Sequence, residues 1–529
     1  MVPAKRMLAA VLLFCGIVIA CRTLLGPLTF PLSVKSPINV EGWFGLSAIL
    51  LAVTHAKRGP LPSGHGSDGL VPSHDRKGAV GPQRYKLNSF DAFAVAAIAC
   101  LVAGAFYRAA NFYFLSDDFI LLKYARSFSY NFHALFATPG GDGFYRPLAY
   151  ASMAWTSAWA GVNPAYWHWT GFALHAINSI LVFFLAWALG LPRLASAFAA
   201  ALFAVHGTRP EAVIWARHDL LATFFVLIAL VSFIFAWNEA RWSVLLRAVS
   251  LLSMVLAFFS KESSYTFPLV LVVFLASNGG LKTRRGWYGL APFFALAAGM
   301  LAWRWILFGG IGGYLTAAGQ PQALSPGVLP VLKIFALRLW AVLFFPINWS
   351  QQPGVWLGIF TALYVVALFW LLQSPATWRN LFAPIGFLVV LALPPLTQLL
   401  IGSDLQKARY LYLPSVGFCL LLAALTQHLK MKSQWIVSIA IIAFNLAALF
   451  HNMTAWEYAS KKAQAACSVA ASCGVTGTAG LGLPGSLNGV YFFANGFPEC
   501  VEMQRNGDAA TQSSCVLVWD ANTVELSRR

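Results

Sequence analysis

The sequence predicts an all-α integral membrane protein, a polytopic bundle of about 12 or 13 transmembrane helices with outer-face loops and a small outer C-terminal segment. Hydrophobic residues make up 59% of the 529 residues and charged residues only 10%, a composition far from that of soluble domains. Apolar runs such as "NSILVFFLAWALGL" (178–191) can span or nearly span a bilayer as helices. They lack the alternation of barrel strands, so a helical bundle is favoured.

Basic residues between the apolar runs predict the orientation. The net charge is +18, but Lys and Arg lie in short loops and not on a soluble domain that could bind nucleic acid. By the positive-inside rule, four basic stretches are cytoplasmic, together with the N-terminus. These stretches are residues 54–86, 238–247, 279–286 and 427–434. The chain beyond about residue 452 is then outside.

Four parts are predicted along the chain. Residues 1–55 form an extra transmembrane hairpin that begins with a signal anchor; a cleaved secretory signal is the alternative, because "VIAC" ending at Cys21 resembles a lipoprotein cleavage box. Residues 56–90 form a basic cytoplasmic linker rich in Gly, Pro and Ser. Residues 91–451 form the main membrane domain, and residues 452–529 form a cysteine-containing tail at the outer face.

Hydrophobic runs give the helices of the membrane domain. They are predicted near residues 91–110, 167–190, 194–206, 218–237, 244–260, 264–279, 287–308, 355–373, 380–401, 410–427 and 434–451. Residues 328–347 are long enough to cross but carry Lys333 and Arg338, and a crossing there would move residues 427–434 outside. We interpret this segment as a helix that lies at the outer surface or enters only part way.

The tail contains half of the eight cysteines. Cys467, Cys473, Cys500 and Cys515 form an even set in a segment that is predicted to face outward, which is compatible with two disulfides in any of three pairings. The other four cysteines fall in apolar runs and are interpreted as packing residues.

Acidic residues separate two classes of function. Seven of the 18 carboxylates fall at predicted outer helix ends or in outer loops, and none lies near the predicted midplane. They are Asp117, Asp118, Asp142, Glu211, Asp219, Glu262 and Asp404. An ion-coupled transporter usually needs ionisable groups or broken helices at mid-membrane. A one-sided layer of acids and bases suits an enzyme whose substrate hangs from the bilayer by a lipid tail.

Basic residues accompany these acids on the same predicted face. They are Lys123, Arg126, Arg146, Arg209, Arg217, Lys261, Lys407 and Arg409. Such a mixture can bind a phosphate headgroup, because a guanidinium group holds phosphate oxygens in a fork. The alternative is that long basic side chains anchor helix ends at the interface. For Arg217 and Arg409, which lie in dense polar stretches, the functional interpretation is favoured.

Eight motifs occur in order along the chain. They are "SDDF" (116–119), "YRPL" (145–148), "LHAIN" (174–178), "HGTRPEAVIWARHDLLAT" (206–223), "SKES" (260–263), "GGIGGY" (309–314), "FFPINWS" (344–350) and "ARYLYLPSVGF" (408–418). Over roughly residues 91–460 the chain resembles the GT-C polytopic glycosyltransferases. It is most similar to the transmembrane O-mannosyltransferases that carry tetratricopeptide repeats, and to their bacterial relatives.

This resemblance implies transfer of a sugar, as a hexosyl group, from a polyprenyl-phosphate donor to an acceptor at the outer face of the membrane. Transfer would invert the anomeric carbon, and an acid in the first outer loop, here Asp117 or Asp118, would be the catalytic base. The location implied is the bacterial cytoplasmic membrane, with the active face toward the periplasm. The acceptor could be a protein, a lipid or a glycan.

Three features depart from the family pattern. No 34-residue helical repeat follows the last membrane helix, so the peptide-binding repeats are missing. A short cysteine-containing tail stands in their place, and an extra hairpin precedes the core. Ala408 replaces the acidic residue that the family has before "RYLYLPS". The acceptor therefore does not carry over from the resemblance.

The acid pair is assigned from helix geometry. Neighbouring residues on a helix point about 100° apart, so the two carboxylates cannot share one orientation. Asp117 is favoured as the base, and Asp118 as its orienting or acceptor-binding neighbour. A structural alternative is that the pair caps the N-terminus of the amphipathic stretch that follows.

Further residues are candidates for binding the lipid phosphate or the sugar: Arg146, His206, Glu211, Arg217, Asp219, Lys261, Glu262, Arg409 and Tyr410. Arg217 would bind the phosphate, with Glu211 or Asp219 orienting it. Lys261 and Glu262 could instead pair with each other, and a structural network is favoured for His206. The spacing of His and Asp does not match a dedicated metal cage. No cofactor is expected to be required, although a divalent ion held by an acid of the pair and a phosphate is compatible with the sequence.

The leading hypothesis is therefore a GT-C membrane glycosyltransferase. A transporter or flippase of lipid-linked sugars is the alternative from another class, and it predicts essential polar residues along the bundle. A scaffold without catalysis is the third, and in it both acids of the pair could be replaced without effect.

Overall fold

The computed structural model describes residues 2–26, 37–56, 87–127, 144–215, 217–238, 243–310, 312–313, 327–373, 377–473, 481–505 and 517–528. Asp142 and Cys515 therefore lie outside the described residues, as does most of the predicted linker. The described part is all-α apart from two small hairpins, which confirms the predicted fold class.

Helices account for nearly all of the regular structure. They are α1 (Val2–Leu25), α2 (Ile38–His55), α3 (Ser89–Phe106), α4 (Asp117–Ser127), α5 (Pro147–Ala160), α6 (Pro164–Ala188), α7 (Arg193–Val205), α8 (Arg217–Asn238), α9 (Ser243–Phe258), α10 (Phe267–Ser277), α11 (Arg284–Phe308), α12 (Val328–Lys333), α13 (Leu339–Phe344), α14 (Val355–Leu372), α15 (Trp378–Ala392), α16 (Ser415–Thr426), α17 (Met431–Ser472) and α18 (Phe497–Gln504). The antiparallel hairpins pair β1 (Ser486–Leu487) with β2 (Val490–Tyr491) and β3 (Leu517–Asp520) with β4 (Glu525–Arg528).

Eight helices of the described chain are long and apolar enough to cross a membrane, and five shorter apolar helices accompany them. The eight include α1, α2, α3, α6, α8, α11, α14 and α17. Large apolar side chains remain exposed on these helices, for example Val366 (66%) and Ile306 (75%). In water such surface would be costly, so it is suited to contact with lipid.

The order of the helices places the predicted basic loops at one end of the bundle. Three of the four predicted cytoplasmic stretches fall where α8 is followed by α9, α10 by α11, and α16 by α17 along the chain. Helices α8 and α16 begin at the opposite end of the bundle. Helix α4 also begins there, and the candidate site residues lie at that end. Charge pattern and helix connectivity therefore agree.

Helix α5 and the end of helix α17 differ from the sequence-based expectations. Helix α5 was not predicted. Helix α17 was expected to end near residue 451, but it continues without a break to Ser472 and has 42 residues. The predicted boundary between membrane domain and tail therefore falls inside a helix, because the polar second half of α17 still packs one face on the protein. Buried small residues such as Ala463 and Ala466 continue its packed stripe.

The extra N-terminal hairpin packs closely on the bundle. A Cβ atom at Gly358 of α14 would lie 2.5 Å from a methyl carbon of Leu24, and one at Gly45 of α2 would lie 2.5 Å from Cβ of Trp340. Glycine therefore permits the close approach of α1 to α14 and of α2 to α13. The hairpin is an integral part of the fold.

The segment predicted at residues 328–347 changes character along its length. Helix α12 contains no buried residue, a π-helical stretch Ile334–Arg338 follows, and all six residues of α13 are buried. Only the first half therefore has the exposure of a surface helix, while the second half enters the protein interior.

The sequence is compatible with three disulfide pairings of the four tail cysteines. The structure joins Cys467, on α17, to Cys500, on α18, and Cys473 is also disulfide-bonded. The four cysteines outside the tail are free. Cys15 and Cys419 are buried as expected of packing residues, whereas Cys21 is half-buried and Cys100 is exposed, so the expectation is wrong for Cys100.

Candidate active site

The candidate residues converge at one end of the bundle, where several helices begin or end. Helix α4 starts with the acid pair, a π-helical turn Glu211–Trp215 precedes α8, and 3₁₀ turns Glu262–Thr266 and Ala408–Leu411 lie beside it. These irregular turns place polar side chains above an apolar bundle.

The acid pair follows a strained residue. Ser116 has φ +45° and is buried, and this left-handed conformation is uncommon for a residue other than glycine. The turn directs the two carboxylates apart. Asp117 Oδ1 accepts a hydrogen bond from Asn495 Nδ2 at 2.8 Å, whereas Asp118 Oδ2 accepts from the Leu115 backbone N–H at 3.1 Å. Asp118 thus caps the start of α4, as the structural alternative expected, but only with one oxygen.

Asp118, and not Asp117, lines a cavity that we call the acid cavity. Among its lining residues are Phe114, Met153, Trp167, His168, Trp215 and Arg217. No described residue donates a hydrogen bond to Asp118 Oδ1, so this oxygen is available. The cavity therefore combines a carboxylate with a guanidinium group, inside aromatic walls.

Arg217 is held in this cavity by neutral groups. Its Nη1 donates to Thr156 Oγ1 at 2.7 Å, its Nη2 donates to the Trp167 carbonyl at 2.6 Å and to Thr170 Oγ1, and the guanidinium lies 4.4 Å from the Trp167 ring centroid. None of these contacts neutralises its charge. Arg217 therefore presents positive charge to the cavity that Asp118 lines.

Glu211 and Arg409 form a buried ion pair. Arg409 Nε lies 3.7 Å from Glu211 Oε1, and the Arg409 backbone N–H donates to Glu211 Oε2 at 3.2 Å. The guanidinium lies 3.9 Å from the centroid of the Trp215 ring. Its Nε and Nη1 are buried without a hydrogen-bond partner among the described residues. Since buried donors normally find an acceptor, these N–H groups are suited to an anionic ligand.

Lys261 and Glu262 do not pair with each other, and the expectation that they could is wrong. Lys261 Nζ lies 2.5 Å from Asp219 Oδ1. Glu262 binds Arg146, with Nη2 to Oε2 at 2.8 Å, and also Arg304 at 3.4 Å. Adjacent residues diverge here because Lys261 precedes the 3₁₀ turn that Glu262 begins.

His206 is placed in a structural network. Its Nδ1 contacts Thr208 Oγ1 and its Nε2 contacts the Leu343 carbonyl, both at 2.9 Å, and its side chain is fully buried. These contacts tie the end of α7 to α13 and leave no ring nitrogen for a substrate. Tyr410, in contrast, lies between cations: its ring is 4.8 Å from Lys261 Nζ, and its hydroxyl accepts from Arg409 at 3.5 Å.

Burial shifts the pKa values of several groups in the site. Burial raises the pKa of Asp118 well above its usual range, an effect that the charges of Arg217 and Arg409 oppose. Burial also raises the pKa of Glu211 to about 7 and lowers the pKa of Lys261 to about 8. Groups that exchange protons near neutral pH are what acid–base catalysis requires.

A second cavity lies on the other side of Glu211. It is lined by polar groups that include Thr208, Glu211, Asn348, Asp404 and Asn452. Gly489 of the tail also lines it. Glu211 Oε1 is buried there without a hydrogen bond from any residue that the structure describes. Arg409 pairs with Glu211, which lines this cavity, and stacks on Trp215, which lines the acid cavity, so it lies between the two.

Sequence reasoning missed several residues of the site. Asn495, Tyr491 and Gly489 belong to the tail, which was predicted as a separate segment. Trp167, Trp215 and His168 were not singled out, because aromatic residues are abundant in this chain. For Trp215 a signal existed, since it lies in the "HGTRPEAVIWARHDLLAT" motif between two candidate residues.

Among the described residues, no three His, Cys, Asp or Glu side chains are grouped so that they could hold a metal ion. The acids of the site are instead distributed among cations. The arrangement can bind an anion and can move a proton near it.

Comparison with known proteins gives little guidance. No family model and no curated protein matches the chain. One solved structure that resembles it is ArnT from Cupriavidus metallidurans in the apo state, with 13% identity and a TM-score of 0.39 over 78% of this chain and 85% of that chain. A similarity of this size does not establish a function.

Proposed function

We propose that the protein is a GT-C-type glycosyltransferase of the membrane, which moves a sugar from a polyprenyl-phosphate donor to an acceptor hydroxyl at the outer face. The observation that carries the proposal is the acid cavity at the end of an apolar helical bundle. Asp118 and Arg217 both line this cavity. A carboxylate and cations gathered at one end suit a substrate that hangs from the bilayer.

In the proposed reaction, the acceptor oxygen attacks C1 of the sugar from the side opposite the phosphate. The new O–C1 bond forms as the bond from C1 to the phosphate oxygen breaks, so the anomeric configuration inverts. The acceptor proton passes to a carboxylate, and the lipid phosphate leaves with the bonding electron pair. The transition state resembles an oxocarbenium ion, which a nearby carboxylate stabilises.

Asp118 is the base in this proposal, and Asp117 is its acceptor-binding neighbour, the reverse of the order that the sequence favoured. The free Oδ1 of Asp118 and its place in the cavity support this assignment. Burial makes Asp118 a stronger base than an exposed aspartate. Asp117 has one oxygen held by Asn495, which leaves the other for an acceptor hydroxyl.

Cations bind the phosphate that leaves. Arg409 offers its buried Nη1, to which no described residue is hydrogen-bonded, and Arg217 adds positive charge on the side of Asp118. Charge placed in advance where negative charge develops lowers the barrier, because it costs no reorganisation during the reaction. Tyr410 and Glu211 contact Arg409, and the Asp219–Lys261 ion pair completes the polar layer. Arg146 and Glu262 support it from the side of α11.

The experiment that tests the proposal is transfer of a radiolabelled hexose from a polyprenyl-phosphate donor, in membranes that contain wild-type chain, Asp117→Asn or Asp118→Asn at matched levels. We expect Asp118→Asn to lose at least about 100-fold in kcat, the size of a general-base contribution. Asp117→Asn should mainly raise the KM for the acceptor.

Equal transfer by all three chains would remove both acids from the mechanism and leave the transporter and scaffold hypotheses. A loss confined to Asp117→Asn would restore Asp117 as the base.

A further inference from the structure

The C-terminal tail covers the acid pair. We call residues 485–504 the roof segment. Its backbone meets the turn that precedes α4: the Ser116 N–H donates to the Phe492 carbonyl at 2.9 Å. At Gly496, which has φ +81°, a Cβ atom would lie only 2.3 Å from the Ser116 carbonyl oxygen. The roof segment therefore accepts the Ser116 N–H and packs closely against the Ser116 carbonyl oxygen, which itself accepts from the Phe119 N–H at 3.2 Å.

Side chains of the roof segment reach both functional parts of the site. Asn495 donates to Asp117, as described above. The Phe493 ring stacks on Phe119, directly after the acid pair, with centroids 6.4 Å apart. The Tyr491 ring stacks at 5.5 Å on Trp215, the same ring that the Arg409 guanidinium covers.

Three contacts anchor the roof segment to the helices. The Cys467–Cys500 disulfide joins it to α17. Gln504 donates to the Tyr113 hydroxyl at 2.7 Å, and Lys123 of α4 lies 2.7 Å from Glu502. The exposed ion pair contributes little stability, so the covalent link is the main anchor.

We propose that the roof segment is a positioning element for the acid pair, and that Asn495 is the positioning residue for Asp117. This inference rests on the proposed function. The Asn495 amide is a neutral donor that fixes Asp117 Oδ1 and takes no proton from it. The second oxygen, Oδ2, then has a defined direction for an acceptor hydroxyl. A free Asp117 side chain would sample several rotamers and bind the acceptor more weakly.

The first test is acceptor kinetics in membranes with Asn495→Ala, and with Asn522→Ala as the matched control. Asn522 is an exposed residue of the β3–β4 turn, where the same change removes an amide away from the site. For Asn495→Ala we expect the acceptor KM to rise about tenfold, the effect of losing a hydrogen bond to a charged group. The donor KM and kcat should change little. Asn495→Asp should be worse, because it sets two carboxylates side by side, whereas Asn495→Gln should restore part of the binding.

The second test does not depend on transfer. Hydrogen exchange is measured on the purified full chain, without substrate, over residues 115–122. Asn495→Ala and the double variant Cys467→Ser/Cys500→Ser should exchange faster than wild type at the amide of Ser116, and Asn522→Ala should not.

Unchanged exchange at Ser116 in both roof variants would overturn the positioning role, whatever the transfer assay gives. An acceptor KM that stays at the wild-type value in Asn495→Ala would overturn the role of Asn495. If wild-type membranes transfer no sugar while exchange at Ser116 responds, the proposed function fails and the mechanical role of the roof segment stands.

Discussion

Asp117 and Asp118 are neighbours in sequence with different surroundings. Asp117 contacts an exposed amide of the tail, whereas Asp118 lines a cavity of aromatic side chains and an arginine. Desolvation disfavours the charged form of a carboxyl group, and burial raises the pKa of Asp118 well above its usual range. The different surroundings are the basis for proposing different roles for the two acids.

The pH dependence of transfer follows from the raised pKa of Asp118. A base acts only when ionised, so kcat/KM should fall as the pH drops through this pKa. The fall should occur well above the value of about 3.9 of an exposed aspartate. The pH profile of transfer by wild type and by Asp118→Glu checks this. Because burial brings the pKa of Glu211 to about 7, the profile of Glu211→Gln serves as the control. An acidic limb that disappears in Glu211→Gln would assign it to Glu211.

We expect the geometry of the Arg409 guanidinium group, and not only its positive charge, to contribute to binding of the donor. Lysine keeps the charge but lacks the fork of N–H groups that can hold two phosphate oxygens. We expect Arg409→Lys to lower kcat/KM for the donor about 10- to 100-fold. Arg108→Lys is the matched control, since Arg108 forms an exposed ion pair with Glu457 and its replacement should leave transfer unchanged. Similar kinetics in both variants would exclude a fork at Arg409.

At the scale of elements, the site combines irregular turns with the first turns of the helices α4 and α8. The π-helical turn 211–215 and the 3₁₀ turns at 262–266 and 408–411 supply Glu211, Glu262 and Arg409. A regular helix would spread these side chains around its axis. Because each turn ends a helix, the groups meet in one layer while the helices remain apolar.

The contact between the roof segment and α4 gives a prediction at this scale. Gly496→Ala places a Cβ atom 2.3 Å from a backbone oxygen, so the roof segment must move away. Transfer should fall strongly, and the Tm of the purified chain should drop. Gly482→Ala is the matched control: it has a similar positive φ, but a Cβ atom there would meet nothing within 4 Å. It carries the same backbone strain without the clash. Equal losses in both variants would show that strain alone is responsible.

On the scale of the whole molecule, the site and the basic loops lie at opposite ends of the bundle. This arrangement predicts opposite accessibility for Ala494→Cys, in the roof segment, and Lys432→Cys, at the start of α17. In intact cells, and in a background without free cysteines, a membrane-impermeant thiol reagent should label Ala494→Cys. It should label Lys432→Cys only after permeabilisation. The reverse pattern would place the site in the cytoplasm and contradict the positive-inside assignment.

The sequence by itself determined the membrane class, nearly all of the long helices and the gathering of charge at one end. Hydropathy depends only on the local sequence, so the apolar runs are visible without knowing which residues are close in space. The motifs also identified most of the polar side chains of the site, including Asp118, Arg217, Glu211 and Arg409.

Only the tertiary structure decided which of these side chains meet. It paired Lys261 with Asp219 and Glu262 with Arg146, turned Asp118 toward the cavity, and joined Cys467 to Cys500. It also brought the polar tail over the acid pair. These outcomes depend on the rotation of each helix and on the path of each turn, and contacts between residues hundreds of positions apart leave no local pattern in one sequence.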